Sequence, residues 1–133
     1  MATWEDVRRI ALALPETFER TTHGTLDWRV RDKRADKSFA WERPLRRADL
    51  DALGAAAPQG PILGVRVPDL AAKEALLASD PDVCFTTPHF DGHASVLVRL
   101  GPIDVENLRE LLIEAWLCRA PKDLVQAYLG TPP

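Results

Sequence analysis

A thiol, a carboxylate and two imidazoles lie within a span of ten residues, and these are ligand types that zinc binds in proteins. They belong to Cys84, His89, Asp91 and His93. A spacing of four residues, as between His89 and His93, puts two ligands on one side of a chain only in a helix. Residues 90–92 instead have the composition of a turn, and Cys84 lies in a predicted strand. The pattern favours a loop held by local hydrogen bonds, and we expect no bound metal or other cofactor.

Basic side chains are concentrated in one segment of the chain. Residues 29–47 contain 8 Lys/Arg and 3 Asp/Glu, a balance of +5, whereas the whole chain has a net charge of −3. Cations on a two-stranded β-ribbon can contact phosphates, and such a ribbon is narrow enough to enter the major groove of double-stranded DNA. The candidate DNA-binding residues are Arg29, Arg31, Lys33, Arg34, Lys37 and Arg43. A solvent-exposed hairpin, partly neutralised by its own carboxylates, explains the same charges without any DNA.

Two tryptophans provide an alternative binding site. Trp28 and Trp41 fall on neighbouring predicted strands, where alternation places them with Val30 and Phe39 on one apolar face and favours the core. An exposed Trp beside Arg would instead stack on a base or on a partner side chain. In that case a groove near the 87–93 loop would bind a small molecule or a protein. The residues of this alternative site are Trp28, Trp41, His89, Asp91 and His93.

Motifs for catalysis are absent from the sequence. No serine lies in a G-x-S-x-G motif, and the glycines are not spaced as in a phosphate-binding loop. Cys84 and Cys118 lie outside the signatures of catalytic thiols and are too few for a disulfide framework, so we expect two buried thiols. We therefore expect a protein that acts by binding rather than an enzyme.

Length and composition predict one globular domain over residues 1–133. The chain is 46% hydrophobic and 28% charged, which is ordinary for a folded protein. No apolar run reaches the roughly 18 residues that a membrane span needs. The first ten residues lack the apolar stretch of a signal peptide. We therefore expect a cytoplasmic protein with no membrane partner.

The hydrophobic periodicity predicts helices and short strands in alternation. Thr3, Asp69 and Asp104 are helix N-caps, and the last of them starts the helix with the widest apolar stripe. The predicted strands are 26–31, 37–42, 62–67, 83–86 and 95–100, and the first two form a hairpin. This order predicts an α+β fold, with an antiparallel sheet of about five short strands covered by helices on one face.

Several stretches, in order along nearly the whole chain, resemble the MmcQ/YjbR family. They are IALALPE at 10–16, FAWE at 39–42, GVRVPDLAAKEALL at 64–77, DPDVCFTTPHFDGHASVLVRL at 80–100, EAW at 114–116 and APK at 120–122. The resemblance implies a compact α+β fold similar to that of the bacterial frataxin homologue, and it implies DNA binding. It carries over no catalytic residues. The chain differs from many members at His93, where an aromatic such as Tyr is common.

The frataxin-like fold also raises the possibility of metal handling. Such a function calls for a dense acidic ridge, whereas the first helix carries only Glu5 and Asp6 before Arg8 and Arg9. DNA binding and a ligand- or protein-binding groove therefore remain the two main hypotheses.

Overall fold

The computed structural model describes residues 1–130 of the chain, in which five α-helices accompany a six-stranded sheet. The helices are α1 (Trp4–Ala13), α2 (Arg47–Leu53), α3 (Leu70–Ser79), α4 (Val105–Arg119) and α5 (Lys122–Leu129). The strands are β1 (Thr17–Thr22), β2 (Thr25–Val30), β3 (Lys37–Glu42), β4 (Ile62–Arg66), β5 (Cys84–Phe85) and β6 (Ser95–Arg99). Their order in the sheet is β1-β2-β3-β4-β6-β5, and all neighbours are antiparallel. The expected α+β architecture is confirmed, with one strand more than predicted. Within residues 1–130 no helix is long and apolar enough to cross a membrane.

The additional strand is β1, which forms one edge of the sheet. None of its residues is fully buried, and Phe18 is its only large apolar residue, so it lacks the alternation that marks a strand in sequence. A two-residue turn joins it to β2. His23 and Gly24 in this turn have φ values of 52° and 81°. Positive φ at both central positions defines the type I′ turn, for which His is an uncommon first residue. The strand therefore left little trace in the sequence.

A β-bulge in β3 reverses the expected direction of Trp41. Trp28 pairs with Ala40, but the next residue of β2 pairs with Ser38, so Phe39 is an extra residue in β3. Phe39 and Ala40 are consecutive and both fully buried, which a regular strand with one buried face does not allow. Trp41 lies on the other face of the sheet. The prediction that Phe39 and Trp41 share a face is therefore wrong.

The hydrophobic core lies between the sheet and helices α1 and α4. Trp28 and Trp116 are its largest fully buried side chains. Trp28 stacks on Trp4 with 6.0 Å between ring centroids, and its indole N–H donates to Glu19 Oε1 at 3.0 Å. The indole N–H of Trp116 donates to the Pro15 carbonyl at 3.1 Å. Trp28 therefore belongs to the core, as its alternation indicated, and does not line a surface groove.

Candidate functional site

The face of the sheet opposite α1 and α4, which we call the outer face, carries most of the charged strand residues. Its positions include Arg20, Asp27, Arg29, Ser38, Trp41, Gly64 and Arg66. Asp27 is the only carboxylate among these seven. It accepts a hydrogen bond from the Ser38 hydroxyl and lies 2.9 Å from Arg29 and 3.6 Å from Arg20. Cations therefore outnumber carboxylates on this face.

The connection between β2 and β3, residues 31–36, forms the hairpin tip and presents three exposed cations. They are Arg31, Lys33 and Arg34. The Arg31 guanidinium lies 4.9 Å from the centroid of the Phe18 ring, which holds it beside the edge strand. Within residues 1–130 none of the three forms an ion pair. These side chains are free to contact an external anion.

Two aspartates of the hairpin tip shape its backbone. Asp32 accepts a hydrogen bond from the Arg34 N–H at 3.0 Å, and Asp36 accepts one from the Asp32 N–H at 3.2 Å. The pKa of Asp32 is lowered, mainly by the hydrogen bond from the Arg34 N–H and further by the Lys37 ammonium at 3.6 Å. Burial raises this pKa, but its effect is smaller than that of the Arg34 hydrogen bond. Since these carboxylates accept backbone hydrogen bonds, they stiffen the turn while Lys33 and Arg34 remain exposed.

Carboxylates also approach the hairpin tip from α5 and from the connection between α1 and β1. A concavity of about 620 Å³ between the tip and α5 includes Glu16 and Asp123 in its walls. The same walls include Arg31, Lys33 and Arg34, so this concavity has charges of both signs.

The structure holds Arg29 inside the hairpin. Its side chain is only 18% exposed. The guanidinium donates to Asp27 at 2.9 Å and to the Asp36 carbonyl at 2.7 Å. Arg29 therefore braces the hairpin tip against β2 and has little surface left for a phosphate.

Arg43 does not lie on the predicted DNA-binding surface, because its side chain is only 7% exposed. It forms an ion pair with Asp49 of α2 at 3.1 Å and donates to the Pro44 carbonyl at 2.6 Å. Its guanidinium also lies 5.2 Å from the centroid of the Phe90 ring. The sequence placed Arg43 among the phosphate contacts because it follows β3 in a basic run. Its actual role is to join β3, α2 and the 87–93 loop.

Asp49 is the buried partner of this pair, with its side chain 4% exposed. Burial by itself raises the pKa of Asp49. The Arg46 N–H, which donates to it at 2.8 Å, and the Arg43 guanidinium outweigh that effect and lower the pKa. The carboxylate is therefore ionised in the folded protein at neutral pH.

The 87–93 loop is held by a buried lysine and by its own backbone. Lys73 of α3 is 6% exposed and donates to the carbonyls of Phe90 at 2.7 Å and His93 at 3.0 Å. Within the loop, the His93 N–H donates to the Phe90 carbonyl at 3.0 Å. Among residues 1–130 no three His, Cys, Asp or Glu side chains are placed to hold a metal ion. The structure therefore does not bring Cys84, His89, Asp91 and His93 together.

A groove beside this loop contains part of the alternative site. It has a volume of about 540 Å³, and its walls include Trp41, His89, Phe90, Arg20 and His23. The rings of Trp41 and Phe90 are 6.4 Å apart. Of the five alternative residues, only Trp41 and His89 line the groove. Asp91 and His93 are exposed outside it, and Trp28 is in the core.

The position of Trp41 depends on a glycine of the adjacent strand. A Cβ atom added at Gly64 would lie 2.3 Å from Trp41 Cε2, well inside van der Waals contact. The indole therefore rests directly on the backbone of β4, where a larger residue would exclude it. Glycine in a strand interior often marks such a close approach.

We expect Gly64→Ala to displace Trp41 and to lower the free energy of unfolding by about 1–3 kcal/mol, as overpacking does. The fluorescence of Trp41 should shift to the red as its ring gains exposure. Gly101→Ala is the matched control, since nothing lies within 4 Å of its added Cβ. Urea unfolding followed by fluorescence measures both changes. Equal stability of the two variants would contradict the close contact.

The two thiols have different environments. Cys84 is buried, and burial raises its pKa to about 11. Cys118 is exposed on α4, so the prediction of two buried thiols is wrong for Cys118. Because the apolar stripe of α4 is broad, the sequence alone does not show that Cys118 lies outside it.

Sequence reasoning missed several basic residues of the outer face, among them Arg20 and Arg66. Arg20 lies on β1, the strand that was not predicted, and Arg66 is the last residue of β4. The alternation of Ile62, Gly64 and Arg66 along β4 could have indicated that Arg66 shares a face with the glycine. The bulge then brings Trp41 to that face, with 5.5 Å between the Arg66 guanidinium and the ring centroid.

Comparisons with known proteins agree with this architecture. The chain is 55% identical to Uncharacterized protein Rv2570 of Mycobacterium tuberculosis and to Uncharacterized protein Mb2600 of Mycobacterium bovis, over 133 residues and 98% of each chain in both cases. It is similar in fold to the crystal structure of Deinococcus radiodurans protein DR2400, which has a DUF419 domain. The TM-score is 0.69 at 22% identity, and the match covers 99% of this chain and 91% of that one. The model of the YjbR family matches residues 12–118, so the chain belongs to the YjbR family.

Proposed function

We propose that this protein binds double-stranded DNA through the hairpin tip, with Arg31, Lys33 and Arg34 contacting backbone phosphates. The observation that carries the proposal is the exposure of these three cations without an ion pair within residues 1–130. An exposed cation that forms no ion pair can attract a phosphate, and its contact with the phosphate releases counter-ions. The turn that presents them is already stiffened by Asp32 and Asp36, so little order has to be gained on binding.

The neighbouring residues have supporting roles in this proposal. Lys37 is 45% exposed and shares its charge with Asp32 at 3.6 Å, so it contributes less than the tip cations. Arg29 positions the tip, and Arg43 takes no part. Phosphate contacts do not read sequence, so binding is expected to show little sequence preference. The net charge of −3 weakens the interaction, whereas the phosphate contacts of the tip cations make it dependent on salt. The protein acts in the cytoplasm, by binding, without catalysis and without a cofactor.

Charge reversal tests the proposal. Lys33→Glu/Arg34→Glu should weaken duplex binding at least about tenfold at roughly 50 mM salt, because two contacts become repulsive. Fluorescence anisotropy of a labelled duplex measures the affinity. The matched control is Arg9→Glu/Arg109→Glu, which reverses two exposed helical cations. Each reversal subtracts two charges, so both variants change from −3 to −7. Equal losses of affinity in the two variants would show that only net charge matters and would rule out the hairpin tip as the binding site.

The groove beside the 87–93 loop supports a second candidate, binding of a small molecule. Its volume of about 540 Å³ is typical of ligand sites, and two aromatic rings line it together with Arg20. A ligand held there by ring contacts would show little dependence on salt, unlike DNA. A fragment screen followed by saturation-transfer NMR tests this candidate. Hits that bind the Trp41→Ala variant as well as the wild type would rule the groove out.

A further inference from the structure

A cavity of about 500 Å³ lies between α3 and α4 and shares no wall residue with the hairpin tip or with the groove beside the 87–93 loop. Its wall includes the apolar side chains of Ala72 and Leu76 from α3 and of Leu111 from α4. All three pack against the core, yet they are only half-buried. A cavity of this size with apolar walls and a few polar groups is typical of a binding site for a small molecule.

The charged part of the wall is mainly acidic. Asp80 follows α3, whereas Glu110 and Glu114 belong to α4. Arg66 is the one cation among the described residues of the wall, so three negative charges and one positive charge leave a balance of −2. The Arg66 guanidinium lies 5.5 Å from the centroid of the Trp41 ring, which is outside this wall. Within residues 1–130 none of the four charged side chains forms an ion pair.

Both helices bear an electrostatic cost for this arrangement. Glu110 and Glu114 are four residues apart on α4, so they lie on one face of the helix and repel each other. Asp80 is the C-cap of α3, and the free carbonyls at that end of a helix carry partial negative charge. A carboxylate is therefore unfavourable there. A cation bound between the helices would relieve both repulsions, whereas an anion would increase them.

We propose that this cavity binds a small organic cation, in which an ammonium group is attached to an apolar body. The apolar body covers the half-buried side chains of Ala72, Leu76 and Leu111 and removes their surface from water. The ammonium group, with three N–H donors, meets the carboxylates of the wall. A bare metal ion does not fit, because no three His, Cys, Asp or Glu side chains within residues 1–130 are placed to hold one. The site does not depend on DNA binding at the hairpin tip.

The first test compares three ligands that share one apolar body and differ in charge. Phenylbutylammonium, phenylbutanol and phenylbutanoate are titrated into protein with isotope-labelled methyl groups, and binding is followed by NMR. We expect a Kd of about 1 mM or tighter for the ammonium, affinity at least about tenfold weaker for the alcohol, and no saturation by the carboxylate. The methyl resonances of Ala72, Leu76 and Leu111 should shift. No saturation by the ammonium, equal affinities of ammonium and alcohol, or shifts confined to other methyl groups would overturn the proposal.

The second test changes the wall of the cavity. Glu110→Gln/Glu114→Gln should weaken binding of phenylbutylammonium about tenfold, whereas Glu5→Gln/Glu74→Gln should leave it unchanged. Both pairs are exposed glutamates, and each variant changes the net charge from −3 to −1 by losing two carboxylates. Equal affinities of these two variants would overturn the role of the acidic wall.

A third variant fills the cavity with a side chain of the protein itself. Ala75 lines the cavity from an exposed position of α3, so Ala75→Trp should abolish binding of phenylbutylammonium while the circular dichroism spectrum stays unchanged. Full binding by this variant would place the ligand elsewhere. Sedimentation of the wild type and of Ala75→Trp tests a different occupant. A dimer that the substitution disrupts, in a protein that does not bind the ammonium, would make the cavity an interface between copies and would overturn the small-molecule site.

Discussion

Asp49→Ala is expected to lower the free energy of unfolding by about 3–5 kcal/mol, because it leaves a buried guanidinium without its counter-ion. The side chains of Arg43 and Asp49 are 7% and 4% exposed, and their charged atoms are 3.1 Å apart. Removing the carboxylate also takes the acceptor away from the Arg46 N–H at the start of α2. Chemical denaturation followed by circular dichroism measures the loss.

Helix α2 supplies a matched control for this change. Arg47 and Asp51 also form an ion pair, at 3.7 Å, but their side chains are 92% and 71% exposed. Asp51→Ala should therefore cost less than about 1 kcal/mol, as is usual for surface pairs. If Asp49→Ala and Asp51→Ala lower the free energy of unfolding by the same amount, the Arg43–Asp49 pair does not hold α2 against the sheet.

The contribution of Asp49 should disappear in acid. Its pKa in the folded protein is lowered from the ordinary value of 3.8, so the ionised form is favoured by folding. Its stabilisation is fully present above that ordinary value and is lost as the pH falls through the folded-state pKa. The difference in stability between wild type and Asp49→Ala should narrow accordingly below a pH of about 4. A difference that stays constant down to lower pH would contradict the ion pair.

Trp116→Ala is expected to lower the free energy of unfolding by about 3–5 kcal/mol, since a large cavity opens in the middle of the core. The side chain is fully buried, and its indole N–H donates to the Pro15 carbonyl, which lies 101 residues earlier in the chain. Trp116→Phe keeps most of the ring and removes the donor, so it should cost less than the alanine variant. Thermal and urea unfolding measure both changes.

Tyr128 provides a control at the edge of the same contact. Its ring centroid is 4.9 Å from that of Trp116, but the residue is 39% exposed. Tyr128→Ala should cost about 1 kcal/mol or less, because little buried area is lost. A Trp116→Ala variant no less stable than Tyr128→Ala would show that α4 is not anchored through its tryptophan.

The helices could be predicted from sequence because their start signals are local. Thr3, Asp69 and Asp104 each accept a hydrogen bond from the backbone N–H three residues later, as their side chains and positions indicated. Such a cap needs no information from distant parts of the chain. The strands 62–67 and 95–100 were also close to their observed bounds, because most of their residues are buried and apolar. The strand 37–42 matched its observed bounds as well, although only Phe39 and Ala40 in it are buried.

The candidate site was harder to predict because it depends on long-range packing. The bulge at Phe39 determines which face of the sheet Trp41 occupies. Nothing in the sequence of β3 predicts this bulge. Arg43 and Arg34 each count as one positive charge in the sequence. In the structure, Arg43 is buried against Asp49, whereas Arg34 is exposed. Charge composition located the basic hairpin, whereas the availability of each cation depended on partners elsewhere in the chain.

The salt dependence of duplex binding tests the proposed function most directly. The logarithm of the association constant should fall linearly with the logarithm of salt concentration, by about 0.9 for each phosphate neutralised. Lys33→Ala/Arg34→Ala should therefore reduce the slope by about 1.8, whereas Arg9→Ala/Arg109→Ala should leave it unchanged. A wild-type protein that does not bind the duplex at roughly 50 mM salt, or equal slopes in all three proteins, would contradict DNA binding by the hairpin tip.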